Sequence, residues 1–223
     1  MIEVLNHGHV RLVESMGSDL SIVRNARVSY DAEWRSGEDD GKDAKLINYL
    51  IKNGHTSPLE AVKFTFDIKA PIFVLRQWHR HRTWSYNEVS ARYTELPEEF
   101  YVPELSQITT QSSSNKQMRT DEINPRAESA QEVILRSCAY SFRNYQDLLS
   151  AGVPRELARG VLPMNTYSHM FATVDLHNLA KFLKLRLHEH AQYEIRVYAQ
   201  AMLDLIEPIV PVAVAALKEH WLL

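Results

Sequence analysis

The most constraining feature of the sequence is the segment of residues 62–68, in which apolar and polar side chains alternate without exception. One set of alternate positions is apolar and the other is polar: Val62, Phe64, Phe66 and Ile68 against Lys63, Thr65 and Asp67. Because successive side chains of a strand point to opposite faces, this pattern predicts a half-buried strand of an antiparallel sheet. Pro71 follows, and its fixed φ suits the first position of a helix.

Helical patterns dominate the rest of the chain. Apolar residues recur at helical spacing in residues 42–52, and Gly54 is a suitable stop. A longer helix is predicted for residues 126–151, ending before Gly152, with a broad inner stripe of Val133, Ile134, Ser137, Cys138, Tyr140, Ser141, Tyr145, Leu148 and Leu149. Asp175 is a good N-cap for a helix that runs through Leu187. Shorter helices are predicted after Asp19 and Pro154, and in residues 189–207 and 212–221.

The remaining segments complete the fold prediction. A strand is predicted near the N-terminus and another in residues 166–174, whereas residues 31–43 and 104–125 are polar and are interpreted as loops. Glycine is scarce, at seven residues, and Gly-x-Gly-x-x-Gly does not occur, so we expect no Rossmann domain. The sequence predicts one α+β domain over residues 1–223, with long helices around a small antiparallel sheet.

Composition limits the class of protein. The formal charge is −3 and charged residues make up 24%, which argues against a bulk nucleic-acid binder. No apolar run approaches the roughly 20 residues of a membrane span, and the first residues show no signal pattern. One cysteine excludes an internal disulfide framework. We therefore expect a cytoplasmic protein without a membrane or nucleic-acid partner.

Residues 80–93 are the densest polar stretch, with three arginines, and they follow an apolar segment. Guanidinium groups match phosphate and carboxylate bidentately, so this stretch suggests an anionic ligand. If residues 85–93 are extended, one face presents Tyr86, Glu88, Ser90 and Arg92. If residues 72–80 are helical, another face presents Arg76, Gln77 and Arg80.

Three alternatives stand beside a small-ligand site. The stretch could be a solvated basic turn, since most charged residues are merely exposed. It could bind nucleic acid, with Trp78, Trp84 and Tyr86 as stacking platforms. A metal-dependent nucleotide phosphohydrolase would use the pairs His79/His81 and His188/His190, but residues two apart on a helix diverge by about 200°. We therefore expect no metal site, and we expect His7, His9 and His220 at the surface.

Several segments together resemble the flavin-dependent thymidylate synthases. The signature of that family is matched by Arg80-His81-Arg82, Ser85, Asn87-Glu88, Ser90 and Arg92-Tyr93. Residues 53–60, 152–159, 162–163 and 185–194 also resemble the family and keep its order. A lone Arg-His-Arg would be a weak signal, whereas the long signature together with these additional segments is specific to the family.

The resemblance implies a set of site residues. Arg186 would be catalytic and would contact the uracil ring. The residues implied for dUMP are Gln77, Trp78, His79, Arg80, Glu88, Val89, Ser90, Ala91, Arg92, Arg159 and Arg186. Those implied for FAD are His55, Ser57, Arg80, His81, Arg82, Glu88, Asp175, Leu176, His177 and Lys181. Asp175 and Lys181 stand where some relatives have asparagine. These two residues therefore depart from the family pattern, and the resemblance does not fix their contacts with the flavin.

The resemblance also implies a reaction and an assembly. dUMP would receive a carbon from methylenetetrahydrofolate, with reduction by FAD that NADPH recharges, in a homotetramer whose sites combine several subunits. Methyl transfer to uridylates commonly begins with a thiolate, but Cys138 lies on the inner stripe of the longest predicted helix. We expect a core position there, with a raised pKa and poor access, and hence a reaction without a cysteine nucleophile.

Overall fold

A five-stranded antiparallel sheet forms the centre of the computed structural model, which describes residues 1–37 and 41–222. Its strand order is β1-β2-β3-β7-β4. Their bounds are β1 Ile2–Val4, β2 Gly8–Met16, β3 Lys63–Pro71, β4 Ser85–Glu88 and β7 Tyr167–Asp175. A separate two-stranded hairpin consists of β5 Thr109–Gln111 and β6 Arg119–Ile123. The predicted antiparallel sheet is confirmed.

Eight helices surround this sheet in the described part of the chain. They are α1 Asp19–Val28, α2 Lys42–Lys52, α3 Ile72–Trp78, α4 Ala127–Ser150, α5 Arg155–Ala158, α6 Leu176–Arg186, α7 Tyr193–Ile206 and α8 Pro211–Leu217. Short 3₁₀ turns occur at Glu33–Arg35, Ser57–Ala61, Leu105–Gln107 and Arg159–Val161, and a π-helical turn, Lys218–Leu222, follows α8. The mixture of long helices and an antiparallel sheet confirms the α+β class.

The alternating segment pairs with β7 over its whole length. Phe64, Phe66 and Ile68 are buried on the face that the helices cover. Their direct partners are Val174, Ala172 and Met170, which are also buried. The opposite face carries the polar positions of β3. The alternation therefore separates a buried apolar face from a polar face, as the sequence predicts.

The start of α6 shows how the sequence fixes the site's position. Asp175 ends β7, and its carboxylate accepts a hydrogen bond from the Asn178 backbone N–H at 2.9 Å, as an N-cap does. Helix α6 therefore starts directly at the sheet and runs to Arg186. The predicted cap is confirmed. Asp19 behaves differently, because its carboxylate accepts from Val212 and Ala213 at the start of α8.

Some expectations about element bounds are wrong. Residues 104–125 are not simply a loop, since they contain the β5–β6 hairpin. The longest helix buries only Ala127, Cys138 and Tyr145 within this chain, whereas Val133 and Tyr140 of its predicted inner stripe are exposed. Helix α7 begins at Tyr193 rather than near residue 189. The loop predicted for residues 31–43 includes residues 38–40, which lie outside the described residues.

No helix in residues 1–37 and 41–222 has the length and apolar character that crossing a membrane requires.

Candidate active site

Arg186, the last residue of α6, is anchored on two sides. Its Nε donates to His81 Nε2 at 3.1 Å, and its Nη2 donates to the Gln77 carbonyl oxygen at 3.1 Å. A histidine nitrogen that accepts from a guanidinium must be unprotonated. Burial, together with the nearby Arg186 charge, lowers the pKa of His81 to about 4. His81 is therefore a neutral acceptor that fixes the orientation of the arginine.

The turn between α3 and β4 holds His81 in place. Tyr86 donates its hydroxyl to the carbonyl oxygens of His81 at 2.9 Å and Trp78 at 3.2 Å. Burial raises the pKa of Tyr86, so the hydroxyl keeps its proton. The His81 ring also lies edge-on against Phe182, with ring centroids 4.9 Å apart, and Trp78 stacks on the same phenylalanine. The anchor of Arg186 thus rests on the aromatic core.

This end of the molecule carries unused positive groups. Arg186 uses two of the five N–H donors of a guanidinium within the described residues, which leaves three for a ligand. Arg80 and Arg82 are exposed, and neither has a hydrogen-bond or ion-pair partner among residues 1–37 and 41–222. A surface with free guanidinium donors suits an anionic ligand.

Glu88 forms a second polar group with β7. Its Oε1 accepts from the Ser168 hydroxyl at 2.5 Å, and its Oε2 lies 3.9 Å from His79 Nε2. Beside it is an open cleft of about 250 Å³, lined by Asn87, Glu88, Val89, His169, Met170 and Phe171. The carboxylate is therefore held in a defined position while part of it remains exposed.

The expected row of Glu88, Ser90 and Arg92 does not form. Strand β4 ends at Glu88, and the Tyr93 backbone N–H donates to the Ser90 carbonyl oxygen at 2.9 Å, which closes a turn. The condition considered for this row, an extended segment from residue 85 to residue 93, is therefore not met. The turn redirects the chain so that Arg92 reaches a different part of the surface.

Arg92 and Arg159 form a third group through Glu156. Arg92 Nε lies 3.8 Å from the Glu156 carboxylate, and Arg159 Nε donates to the Glu156 carbonyl oxygen at 3.4 Å. An open cleft of about 480 Å³ lies here, lined by Arg92, Tyr93, Glu95, Leu149, Gly152, Val153, Pro154, Arg155 and Glu156. Both predicted arginines thus lie on one surface, although they are far apart in the sequence.

Four of the residues implied for FAD, Ser57, Asp175, Leu176 and His177, lie at the other end of α6. The Leu176 backbone N–H donates to the Val62 carbonyl oxygen at 2.8 Å, which places the turn containing Ser57 beside the start of α6. His177 Nδ1 is buried without a hydrogen-bond partner in the described residues. Burial, with a smaller contribution from Lys181, lowers the pKa of His177. A neutral imidazole with an unused nitrogen is a suitable contact for a ligand.

Two of the implied positions at this end have other tasks. The Asp175 carboxylate is occupied by the backbone and side-chain amides of Asn178, so its capping role limits what else it can bind. The Leu176 side chain is fully buried, as is that of Trp78, and Ala91 is nearly so. Within one chain, Leu176 and Trp78 therefore offer no accessible surface to a ligand, and Ala91 offers little. His55 and Lys181 are exposed, and the His55 ring lies against Tyr49.

One chain does not bring all the predicted residues together. The two ends of the 11-residue helix α6 are about 15 Å apart, given the rise of a helix. No hydrogen bond or ion pair joins the Arg92 group to the Arg186 group among the described residues. The predicted residues therefore form separate groups on the surface of one chain.

Three contributing residues were not singled out from the sequence. They are Glu156, Ser168 and Gln192, the last of which accepts from Gln77 at 2.5 Å. The sequence predicts Tyr86 on a ligand-binding face or as a stacking platform, whereas its hydroxyl holds the turn that carries His81. Glu156 and Gln192 lie within segments that resemble the family, so the resemblance could have identified them as candidate site residues. Ser168 and the hydroxyl of Tyr86 act through tertiary contacts, which the local sequence does not reveal.

The alternative chemistries find little support. Neither histidine pair belongs to a group of three or more metal-ligating side chains in the described part of the chain. His188 and His190 contact each other, with ring centroids 4.8 Å apart. Cys138 is buried, burial raises the pKa of its thiol, and Asn165 donates to its sulfur at 2.9 Å. The predicted core position of this cysteine is confirmed.

Comparison with known proteins gives consistent matches. Residues 11–212 match the family described as thymidylate synthase complementing protein. A flavin-dependent thymidylate synthase of Ehrlichia ruminantium (strain Gardel) is 46% identical over 221 residues, which cover 99% of this chain and 73% of that protein. An enzyme of the same name from Thermus thermophilus is 48% identical, over 99% of this chain and 79% of that protein.

A solved structure with the same fold is a UMP/dUMP methylase, PolB, from Streptomyces cacaoi bound with 5-Br dUMP. Its TM-score is 0.89 at 36% identity, and the alignment covers 100% of this chain and 99% of that one.

Proposed function

This chain belongs to the flavin-dependent thymidylate synthase family, and from that premise we propose that it converts dUMP to dTMP by reductive methylation. In this reaction the carbon comes from methylenetetrahydrofolate and the hydride from FAD that NADPH has reduced. Two observations support dUMP as the substrate. The solved relative is bound with a dUMP analogue, and this chain carries free guanidinium donors where an anionic nucleotide would bind.

We assign the nucleotide to the groups around Arg186, Glu88 and Arg92. Arg80, Arg92 and Arg159 would hold the phosphate and sugar, since their guanidinium groups are exposed. Glu88, fixed by Ser168, and Ser90 would set the orientation of the nucleotide. Gln77 and His79 would contribute side chains, and Val89 lies exposed at the rim of a cleft. The buried Trp78 and Ala91 would position these neighbours along the nucleotide.

The anchoring of Arg186 is the single observation that carries the proposal. The guanidinium is half-buried, oriented by two acceptors, and left with three N–H donors. It cannot act as a general base, because it stays protonated at every working pH. Its role would be to stabilise negative charge that develops on the N3 and O4 side of the uracil ring. With that charge stabilised by Arg186, C5 of the uracil ring would be electron-rich enough to react with the electrophilic carbon of the folate without addition of a thiolate.

The residues at the start of α6 fit a flavin. His177 offers an unpaired buried nitrogen, and Lys181 and Ser57 are exposed beside it. Arg80, Arg82 and His55 add groups that can meet a pyrophosphate, while Glu88 and Asp175 can accept from a ribose hydroxyl or a ring N–H. His81 would donate its Nδ1–H, because a neutral histidine whose Nε2 accepts from Arg186 carries its proton on Nδ1.

We also propose that the enzyme is a cytoplasmic homotetramer that acts on small molecules, with no nucleic-acid or membrane partner. The separation of the arginine groups within one chain supports an assembly that completes the site. So does the exposure of Val133 and Tyr140, which are seven residues apart and share a face of α4, because apolar side chains exposed on one face suggest contact with another subunit. A single buried thiol and a net charge of −3 are consistent with this location and partner set.

The direct test is spectroscopic and chemical. The purified protein, supplied with FAD, should show flavin absorbance that bleaches on adding NADPH. It should form dTMP when dUMP and methylenetetrahydrofolate are also present. A protein that binds no flavin, and instead releases phosphate from dUMP in a chelator-sensitive reaction, would contradict the proposal and favour the phosphohydrolase.

A further inference from the structure

Three metal-ligating side chains meet on the sheet face opposite the helix-covered core. His9 lies on β2, Asp67 on β3 and His169 on β7, and one ligand atom from each lies within 4.8 Å of the others. His9 Nε2 is 3.2 Å from Asp67 Oδ1, and His169 Nε2 contacts the same oxygen. Both imidazoles therefore aim the same nitrogen at one carboxylate atom.

The register of the sheet explains this convergence. His9 and His169 pair with Lys69 from opposite sides, and Asp67 lies two residues earlier on the same face of β3. Lys69 lies between the two histidines, but its ammonium group is paired with Glu99 at 2.6 Å and so does not place an unpaired positive charge beside them. Sequence spacing could not reveal the group, since 58 positions separate His9 from Asp67 and 102 separate Asp67 from His169.

Arg11 holds the carboxylate from its other side. Its Nε and Nη2 donate to Asp67 Oδ2 at 3.0 and 2.6 Å, so Oδ1 is left for the two histidines. Burial raises the pKa of Asp67, but the hydrogen bonds from Arg11, His169 and His9 outweigh burial and lower it. Such a partner, which orients a ligand without contacting the ion, is the usual companion of a metal-binding carboxylate.

We propose that His9, Asp67 and His169 form a binding site for a divalent transition-metal ion, best matched by Zn²⁺. Two imidazole nitrogens and one carboxylate oxygen suit zinc and its neighbours rather than Mg²⁺ or Ca²⁺, which take oxygen ligands. Three protein ligands leave a fourth position for water or another group. The exposed His169 side chain, which also lines the cleft beside Glu88, gives the ion access from solvent.

The site is remote from the flavin residues at the start of α6, although its His169 shares a cleft with Glu88, which is assigned to both dUMP and FAD. His169 lies six positions before Asp175 on β7, about 20 Å away along an extended strand. An ion at this position joins β2, β3 and β7, which are neighbours in the sheet. Its effect should therefore appear in the stability of the fold, because a ligand that binds only the folded state stabilises it. The proposal does not depend on the thymidylate synthase reaction.

The test is a zinc titration of the assembled, flavin-loaded protein in a buffer that does not chelate metals. Isothermal calorimetry should give one Zn²⁺ per chain, and Zn²⁺ should raise the melting temperature of the wild type. His169→Ala should weaken binding at least about tenfold, since even the loss of an outer partner costs that much. His9→Ala and Asp67→Asn should do the same, and the stabilisation by Zn²⁺ should disappear.

A matched control uses another adjacent histidine pair. His188→Ala/His190→Ala removes two exposed, contacting imidazoles that could capture zinc adventitiously. This variant should bind Zn²⁺ as the wild type does. If Asp67→Asn fails to fold, His169→Ala remains decisive, because His169 is exposed on a strand whose other face forms the core. Wild-type protein without a one-per-chain site, unchanged affinity in His169→Ala, or loss confined to the control would overturn the proposal.

Discussion

At the scale of single residues, the contact between His81 and Arg186 determines the protonation states in the site. His81 accepts a hydrogen bond from the Arg186 Nε–H and must therefore be neutral at Nε2. Its pKa of about 4 means that the imidazole is neutral at pH 7. The arginine in turn remains cationic, although burial lowers its pKa. The pair therefore presents one fixed positive charge to a ligand.

The lowered pKa of His81 predicts a pH dependence of stability. The value in the unfolded chain is near 6.5 and in the folded chain about 4, so between these values the unfolded state binds more protons. The free energy of unfolding should rise as the pH rises through this window, and fall as the pH drops toward 4. His177, whose pKa is also lowered, acts in the same direction.

Urea denaturation at a series of pH values measures this effect. His81→Gln keeps a hydrogen-bond acceptor but does not titrate, so its stability should depend less steeply on pH than that of the wild type. Equal slopes for the two proteins between pH 4 and 6.5 would show that His81 has the same pKa in the folded and unfolded states, against the contact described above.

Cys138 gives a second prediction at this scale. Its thiol is buried, and burial raises its pKa, so it is unsuited to nucleophilic attack. Cys138→Ala should keep turnover near the wild-type value while lowering the free energy of unfolding by about 1 kcal/mol. Steady-state kinetics and urea denaturation measure the two quantities. A folded Cys138→Ala protein without activity would show that the cysteine takes part in the reaction.

At the scale of elements, the sequence predicts those whose patterns reflect burial within this chain. The alternation at residues 62–68 and the cap at Asp175 both appear in the structure, since each depends on a local rule. The β5–β6 hairpin lacks such a pattern, because its strands are almost wholly polar. It is held by tertiary contacts instead, such as the 2.6 Å hydrogen bond between the Thr110 and Thr120 hydroxyls.

The stripe on α4 shows a different limit of pattern analysis. Periodicity indicates which face of a helix is apolar, but it does not indicate which chain covers that face. Val133, Leu135 and Tyr140 are exposed in one chain, although two of them belong to the predicted inner stripe. An assembly would reconcile the pattern with the exposure.

Arg119 gives the prediction that belongs to the hairpin. Its guanidinium donates to the buried Glu194 carboxylate at 3.2 Å and to the Gln107 carbonyl oxygen at 3.1 Å. Arg119→Ala should lower the free energy of unfolding by about 3 kcal/mol, because Glu194 then stays buried without a cation. The double variant Arg119→Ala/Glu194→Gln, which carries no such charge, should lose less. Urea denaturation measures both free energies of unfolding, and equal losses in the single and the double variant would contradict this role of Arg119.

At the scale of the whole molecule, no hydrogen bond or ion pair joins the Arg92 group to the Arg186 group within the described residues of one chain. The resemblance implied most of the candidate residues, since their order along the chain follows the family signature. Their grouping could not be predicted, because it depends on where β4 ends and on the side-chain contacts of Glu156 and Ser168. Whether other subunits contribute, as proposed above, likewise cannot be predicted from one sequence.

Subunit mixing tests whether different chains complete each site. Arg92→Ala and Arg186→Ala should each inactivate the enzyme in its proposed homotetrameric form, since both arginines are proposed to bind dUMP. Tetramers assembled from both variants should regain part of the activity, because some sites then combine an intact Arg92 from one chain with an intact Arg186 from another. Mixed tetramers, verified by native mass spectrometry, that stay inactive would place both arginines of a site in the same chain.

The most direct test of the central claim is the turnover number of Arg186 variants with FAD bound and dUMP saturating. Losing one preorganised donor typically costs about 3 to 4 kcal/mol, so Arg186→Ala should lower kcat by a factor of about 10² to 10³. Arg186→Lys should also be strongly impaired, because an ammonium does not reproduce the planar donor set. Arg24→Ala, at an exposed arginine on α1, should match the wild type. An Arg186→Ala enzyme that retains flavin and turns over at the wild-type rate would contradict the account.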